Sequence, residues 1–118
     1  MKLILPYPPS VNHYWFRNRN GSLRIGPKGL AFRQEVWLAV VKSRQRLTGR
    51  LVLGVIAHPP DHRRRDIDNL LKAVLDALQH GGLYEDDNQI DKICIERGEV
   101  LKGGKLIVEL LPVEPKRT

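Results

Sequence analysis

The chain has 118 residues, of which 42% are hydrophobic and 28% are charged, a balance that is ordinary for a soluble globular protein. This length supports a single packed core, so the sequence predicts one domain over residues 1–118. Cys94 is the only cysteine, which excludes an intrachain disulfide and a cysteine-rich metal site. A reducing cytoplasm is therefore the expected location, and no apolar run approaches the length of a membrane span.

The net charge of +7 is unevenly distributed along the chain. Residues 1–60 carry ten Lys and Arg but only one acid, whereas ten of the thirteen acidic residues lie between Asp61 and Glu99. A basic surface attracts polyanions, and nucleic acid is the commonest of these. Simple phosphate binding does not require clustered acids, but a metal-dependent active site does. The distribution therefore favours a nucleic-acid-binding protein with such a site.

The first half of the chain predicts two strands separated by an irregular segment and a helix. Leucine-rich and β-branched runs predict strands over 2–7 and 50–60, the second of them buried. The polar and aromatic residues 8–29 predict a loop or an irregular hairpin around Asn20-Gly21. Apolar spacing over 30–46 predicts an amphipathic helix.

The second half predicts a loop over 61–65, a helix from Asp66 and two further strands. Leucines and other apolar residues recur at intervals of three and four up to Leu78, and Gly81 or Gly82 ends the helix in the left-handed conformation. Strands over 89–98 and 105–111 flank a Gly-Gly turn, which predicts an antiparallel hairpin, with Cys94 buried in the first strand. The order of elements predicts an α+β two-layer sandwich with a mixed four-stranded sheet and two main helices.

Two aspartates stand at the start of the second predicted helix, and two interpretations of them are open. In the structural one, Asp66 is the N-cap and Asp68 is a first-turn acid that the helix dipole favours. In the functional one, both converge on Mg²⁺ together with a third carboxylate from the Glu85-Asp86-Asp87 loop. A metal held there polarises a phosphate and activates an attacking water.

Lys72 and the arginines before Asp66 also have two interpretations each. Lys72 either stabilises negative charge in a transition state or forms exposed ion pairs with Asp68 and Asp76, which contribute a few tenths of a kcal/mol. The Arg63-Arg64-Arg65 run either is a solvated charge run or holds backbone phosphates through the bidentate guanidinium fork.

The aromatic and histidine residues give weaker signals. The Tyr14-Trp15-Phe16 run either stacks on unpaired bases or belongs to the core or to an oligomer contact. The four histidines form no metal-ligand pattern, and His62 is the one nearest to the acids.

Three segments together resemble the RusA family of Holliday junction resolvases. They are PYPPSVNHYW, PDHRRRDIDNLLKAVLDAL and GGLYEDDNQI, and the resemblance runs from about Leu3 to Leu111. The most specific part is R-R-R-D-x-D-N-x-x-K followed by a D-D-x-Q loop, and P-P-S-x-N supports it. The resemblance implies a crossover junction endodeoxyribonuclease: a homodimeric, Mg²⁺-dependent phosphodiester hydrolase that binds four-way DNA junctions in recombination and repair and makes paired symmetric nicks.

The same resemblance implies roles for individual residues. Asp66, Asp68 and Asp87 match the catalytic acids, which we expect to hold the metal, and Lys72 matches an essential lysine. Arg65 matches a residue of the DNA-binding surface, to which we add Arg63 and Arg64. A homodimer also suits the substrate, because a four-way junction is close to two-fold symmetric and a C2 protein presents two equivalent sites to it.

The sequence thus predicts a structure-selective endonuclease for branched DNA that uses Mg²⁺ or, as a substitute, Mn²⁺. Two other functions remain open. One is a non-catalytic basic nucleic-acid-binding module, and the other is a nuclease that prefers flaps or forks to four-way junctions.

Overall fold

The computed structural model describes residues 1–113. In chain order the helices and strands are β1 (Lys2–Leu5), α1 (Val11–Tyr14), β2 (Trp15–Arg17), β3 (Leu23–Ile25), α2 (Pro27–Ser43), β4 (Leu51–His58), α3 (Leu71–His80), β5 (Ile90–Arg97) and β6 (Lys105–Pro112). Two 3-10 turns, Ile67–Leu70 and Asp87–Gln89, precede α3 and β5 respectively.

The main sheet has four strands in the order β1-β6-β4-β5. β6 pairs antiparallel with β1 and β4, whereas β4 pairs parallel with β5. Two parallel neighbours need a long crossover connection, and α3 lies in the one between β4 and β5. The predicted α+β class and mixed four-stranded sheet are confirmed.

One face of the sheet forms the core with the two longer helices. β4 alternates strictly, so that Leu51, Leu53, Val55 and Ala57 are buried while the residues between them are only partly covered. The buried side chains of α2 and α3, which are mainly valine, alanine and leucine, belong to the same hydrophobic cluster. The buried face of the sheet is the one that both helices cover, so the structure has two layers.

The predicted hairpin of the last two strands is wrong, because β4 lies between β5 and β6. The connecting segment crosses the end of β4, where the Gly98 amide donates to Ala57 O (2.8 Å) and the Leu101 amide donates to Pro59 O (3.0 Å). Gly103 and Gly104 do turn the chain, with φ of 82° and 69°. A glycine pair predicts a turn, but it carries no information about which strand becomes the neighbour.

Cys94 was expected to be buried, and it is exposed. It lies on the edge strand β5 opposite Gly54 of β4, on the sheet face that the helices do not cover. The isoleucines beside it give the same local pattern as a buried strand, so only the position of β5 in the sheet decides its exposure.

The other predicted elements are present with shifted ends. Gly21, with φ of 87°, turns the antiparallel pair β2–β3, so the hairpin predicted around Asn20-Gly21 is confirmed. α2 begins three residues before the predicted position because Pro27 occupies the first helical turn. Gly82 takes the left-handed conformation after α3, with φ of 84°.

Two surfaces expose apolar side chains that the sequence did not single out. On the uncovered face of the sheet, Ile4 is 68% exposed and Leu111 is 47% exposed. On α2, Trp37 is 45% exposed and lies near Leu38 and Val41, which are also exposed. Within residues 1–113, no helix combines the length and apolar character needed to cross a membrane.

Candidate active site and nucleic-acid interface

The arginine loop follows β4 and is organised by Asp61. This carboxylate accepts hydrogen bonds from Arg65 Nη1 at 2.6 Å and from the Arg63 backbone amide at 2.9 Å. These contacts lower the pKa of Asp61 to about 2, and the hydrogen bond from Arg65 has the largest effect. Asp61 therefore stays ionised at neutral pH and fixes the loop that carries the three arginines.

The three arginines have different surroundings. The Arg65 side chain is largely covered, and its guanidinium carbon lies 5.7 Å from the centre of the Tyr7 ring. The backbone carbonyl of Arg65 accepts a hydrogen bond from Arg97 Nη2 at 2.6 Å. Arg63 and Arg64 are exposed. Arg65 thus shapes the loop, while Arg63 and Arg64 are accessible to a ligand.

Asp66 and Asp68 lie at the start of the 3-10 turn that leads into α3. Asp66 occupies the N-cap position, but its side chain accepts no capping hydrogen bond, and only its carbonyl accepts from the Asn69 amide at 3.2 Å. Asp68 is the acid of the first turn. Both residues are exposed. Because no capping hydrogen bond forms, the Asp66 carboxylate is not engaged at the helix start.

Lys72 lies one turn further along and does not form the ion pairs that were considered for it. Among residues 1–113, no carboxylate is within 4.0 Å of its ammonium group. Its Nζ instead lies 5.7 Å from the centre of the Trp15 ring, in a cation–π contact. Trp15 is half-buried and packs edge-on against the Tyr14 ring at 5.0 Å, so it forms a firm support for the lysine.

Asp76, the other acid considered as a partner of Lys72, is bound elsewhere. Its carboxylate accepts two hydrogen bonds from Arg33, at 2.9 and 3.1 Å, and one from the hydroxyl of the fully buried Tyr14 at 2.5 Å. Burial raises the pKa of Asp76, but the hydrogen bonds from Arg33 and Tyr14 outweigh this and hold it below its usual value. Tyr14 and Trp15 therefore contact two side chains one turn apart on α3, because Tyr14 binds Asp76 and Trp15 lies against Lys72.

The second acidic group forms a capped turn before β5. Asp86 accepts from the Asn88 amide at 2.9 Å, and Gln89 Oε1 accepts from the amides of Glu85 (3.0 Å) and Asp86 (3.1 Å), which completes a capping box. The Asp86 carboxylate is therefore used as a cap. Asp87 is exposed. Its backbone amide donates a hydrogen bond to Gln79 Oε1 at 2.9 Å.

The capped turn places Asp87 at the opposite end of α3 from Asp66 and Asp68. Gln79 is the last residue but one of this ten-residue helix, which is about 15 Å long. In the part of the chain that the structure describes, no group of three or more His, Cys, Asp or Glu side chains could hold a metal ion. One chain thus brings Asp66 and Asp68 to one helix start but does not bring Asp87 to them.

The arginine loop and Asp66 line one cleft of about 870 Å³ together with the N-terminal proline segment. Arg63, Arg64, Arg65 and Asp66 are all part of its wall, as is His13, whereas Asp68, Lys72, Asp87 and His62 are not. The geometry therefore joins a basic cleft to the helix start that carries the two aspartates. These features are typical of a protein that binds a polyanion and cleaves or modifies it.

Several residues that shape this region were missed at the level of sequence. The sequence predicts only a loop at Asp61, although its spacing to Arg63 and Arg65 is a usable signal for a loop closed on itself. Gln89 belongs to the D-D-x-Q motif, but its capping role needs the turn geometry. The pairings of Trp15 with Lys72 and of Arg33 with Asp76 join distant parts of the chain and have no local signal.

Comparison with known proteins assigns the chain to a family. The model of the family described as endodeoxyribonuclease RusA matches residues 6–110. A protein of Enterobacteria phage HK97 named crossover junction endodeoxyribonuclease rusA is 42% identical over 115 residues, which cover 96% of this chain and 95% of the relative. The proteins of that name from Shigella sonnei strain Ss046 and Escherichia coli strain K12 are 38% and 37% identical over 107 residues, covering 88% of each chain.

The chain belongs to the RusA family of endodeoxyribonucleases, which confirms the resemblance seen in the sequence motifs. Residues 6–110 include the N-terminal proline segment, the arginine loop, α3 and the capped turn, so the match spans every part of the region described above.

Proposed function

We propose that this protein is a Mg²⁺-dependent endonuclease that resolves four-way DNA junctions by paired symmetric nicks, in recombination and repair in the cytoplasm. The observation that carries the proposal is the basic cleft that leads to Asp66, at the helix start shared with Asp68 and Lys72. Family membership supports it, since the relatives are named crossover junction endodeoxyribonucleases.

The donor groups at the helix start suit a hard divalent cation. Mg²⁺ is commonly bound by one or two carboxylates, with water and substrate phosphate completing its coordination, and Mn²⁺ accepts the same oxygen ligands. The carboxylates of Asp66 and Asp68 are exposed, and no capping bond engages that of Asp66, so both are available as ligands. When bound, such a metal polarises the phosphodiester and generates a nucleophilic hydroxide at neutral pH.

The remaining residues bind and orient the DNA. Arg63 and Arg64 hold backbone phosphates at the mouth of the cleft through charge-assisted hydrogen bonds. Lys72 is supported by Trp15 and is not paired with any acid among residues 1–113, so it is available to the phosphate and stabilises negative charge that develops there.

We further propose that the active form is a homodimer. The exposed apolar side chains on α2 and on the uncovered sheet face are the kind of surface that marks protein contacts. A second copy also offers a way for Asp87 to serve catalysis, because Asp87 lies at the far end of α3 from Asp66 and Asp68 in its own chain. In a C2 dimer the far end of one α3 can face the start of the other, and the two resulting sites match the symmetry of a four-way junction.

The test is cleavage of a synthetic four-way junction by purified protein with Mg²⁺, alongside flap and fork substrates. We expect Asp66→Asn to lower junction cleavage by more than about 100-fold, since loss of groups that only support metal ligands already costs 10–100-fold. Binding of the junction should persist in this variant. Glu99→Gln, which removes an exposed acid outside the cleft, should cut normally.

Two results would overturn the proposal. Wild-type protein that binds junctions but cuts no branched substrate with either metal would favour a non-catalytic binding module. Cleavage of flaps or forks in clear preference to four-way junctions would favour a different nuclease specificity.

A further inference from the structure

Trp15 reaches α3 at Lys72 because the residue before it is anchored to the same helix. Tyr14 is fully buried, and its hydroxyl donates a hydrogen bond to Asp76 of α3. Lys72 and Asp76 are four residues apart, so they lie one turn apart on one side of the helix. Trp15 begins β2 directly after Tyr14, and the centre of its ring lies 5.7 Å from Lys72 Nζ. The hydrogen bond between Tyr14 and Asp76 therefore sets which side chain of α3 the Trp15 ring meets.

The indole nitrogen of Trp15 has an unusual environment. Nε1 is buried, and no group among residues 1–113 accepts a hydrogen bond from it. Buried indole N–H groups usually have a partner, and an unpaired one destabilises the folded state. A phenylalanine at this position would keep a ring in contact with Tyr14 without this cost. The packing of the hairpin alone thus does not account for a tryptophan here.

Tryptophan differs from phenylalanine in how strongly its ring attracts a cation. Its ring face is the best of the aromatic side chains for a cation–π contact. Lys72 is exposed and has a flexible stem, and among residues 1–113 no carboxylate is within 4.0 Å of its ammonium group. The contact with Trp15 therefore restricts an ammonium group that would otherwise sample many positions.

We infer that Trp15 is a positioning residue for Lys72: its ring holds the ammonium group in place for the phosphate and does not itself contact the DNA. The inference rests on the proposed function, which gives Lys72 its part in stabilising negative charge at the phosphate. The contact itself is worth about two- to fivefold, whereas a misplacement of about 1 Å near the reacting atoms costs about 100-fold. Loss of the ring should therefore slow cleavage by an intermediate factor, roughly tenfold.

A double-mutant cycle on single-turnover cleavage of a four-way junction tests the inference. Trp15→Leu should lower the cleavage rate roughly tenfold, while the Kd for the junction in EDTA changes by less than about twofold. In Lys72→Met protein, which cuts slowly from the start, Trp15→Leu should cause no further loss, because the ring then has no ammonium group to hold. Trp15→Phe, which keeps a ring face, should recover most of the rate.

Ile25→Ala is the matched control for damage to the hairpin. Ile25 pairs with Trp15 across β2 and β3 and is half-buried. This change weakens the same hairpin without removing the ring. It should lower the unfolding temperature, as Trp15→Leu does, but leave the cleavage rate and the Kd close to those of wild type.

NMR of the lysine side chains tests the contact without any cleavage. The ring current of Trp15 should shift the ε-methylene protons of Lys72 away from the range of the other exposed lysines. Lys72→Met identifies the signal by its absence, and Trp15→Leu should return it to the ordinary range.

Three results would overturn the inference: an equal slowing by Trp15→Leu in wild-type and Lys72→Met protein, an equal slowing by Ile25→Ala, or an unshifted Lys72 signal. A loss of junction affinity in Trp15→Leu that persists in Lys72→Met protein would also overturn it, because Trp15 would then contact the DNA. Absent cleavage by wild-type protein is a failure of the proposed function, and the NMR result then still decides whether Trp15 holds Lys72.

Discussion

Asp76 resembles a surface acid in the sequence, yet it joins three elements of the fold. Its carboxylate connects Arg33 of α2 and Tyr14 of α1 to α3, so its charge stabilises packing and is not available to Lys72. The helical spacing of Lys72 and Asp76 correctly predicts that they share a face of α3. It does not predict that Asp76 has a stronger partner 43 residues away in the chain.

This pairing predicts how stability depends on pH. The pKa of Asp76 in the folded protein is below the usual value of about 3.9, so its contribution is present above about pH 4 and is lost as pH falls through the folded pKa. We expect Asp76→Asn to lower the free energy of unfolding by about 2 kcal/mol at pH 7, because the charged hydrogen bonds are lost. Denaturant unfolding should show that the difference in free energy of unfolding between wild type and Asp76→Asn becomes smaller below pH 4.

Asp91→Asn provides the comparison, since Asp91 is paired with Arg50 in an exposed bridge and its loss should have a smaller effect. A gap between wild type and Asp76→Asn that is the same at pH 3 and pH 7 would contradict the assignment.

The 3-10 turn before β5 shows how one side chain can fix the position of a site residue. Gln89 accepts from two amides of the acidic loop and donates to Gly49 O at 3.0 Å, at the start of the segment that leads into β4. The loop is thus attached to the sheet by Gln89 and to α3 by Gln79. The glutamine of the D-D-x-Q motif positions Asp87.

We expect Gln89→Ala to free this loop without unfolding the protein. The amides of Glu85 and Asp86 lose their acceptor, so their hydrogen exchange should become faster, and the loss of the cap should cost about 1 kcal/mol. If Asp87 acts in catalysis, junction cleavage should fall while binding is kept. Asn88→Ala removes an exposed side chain of the same turn and serves as the control; an equal change in exchange in both variants would rule out the role given to Gln89.

At the level of elements, the sequence predicted what local patterns encode. Leucine periodicity located α3, and the Asn20-Gly21 turn located the pair β2–β3. The antiparallel hairpin of β5 and β6 was wrong because strand order depends on which edges meet after α3 packs on the sheet. The burial of Cys94 was wrong for the same reason, since exposure on an edge strand is decided by neighbours that are remote in sequence.

At the level of the whole molecule, the separation of Asp87 from the other two aspartates leads to a mixing experiment. Asp68→Asn and Asp87→Asn should each be inactive alone. If two chains share each site, a dimer with one chain of each kind contains one intact site and one doubly altered site. Random assortment gives such dimers in about half of the population, so cleavage should recover to about a quarter of the wild-type level.

The recovered activity should consist of nicks in one strand only, because each mixed dimer has a single working site. Mn²⁺ titration should likewise detect about one intact site per mixed dimer. A mixture that stays as inactive as its components would show that Asp87 acts within its own chain or not at all.

The pairing of the first strand with the last has a consequence for how this protein is made. Lys2 pairs with Glu109, and the Leu110 amide donates to Met1 O at 3.0 Å, while β6 also joins β1 to β4. During synthesis, the strand that pairs with both β1 and β4 is therefore missing until β6 has left the ribosome. Contacts of such large sequence separation form slowly, and apolar strand edges stay open to other chains in the meantime. We expect truncation before β6 to produce an aggregating chain and not a smaller folded nuclease.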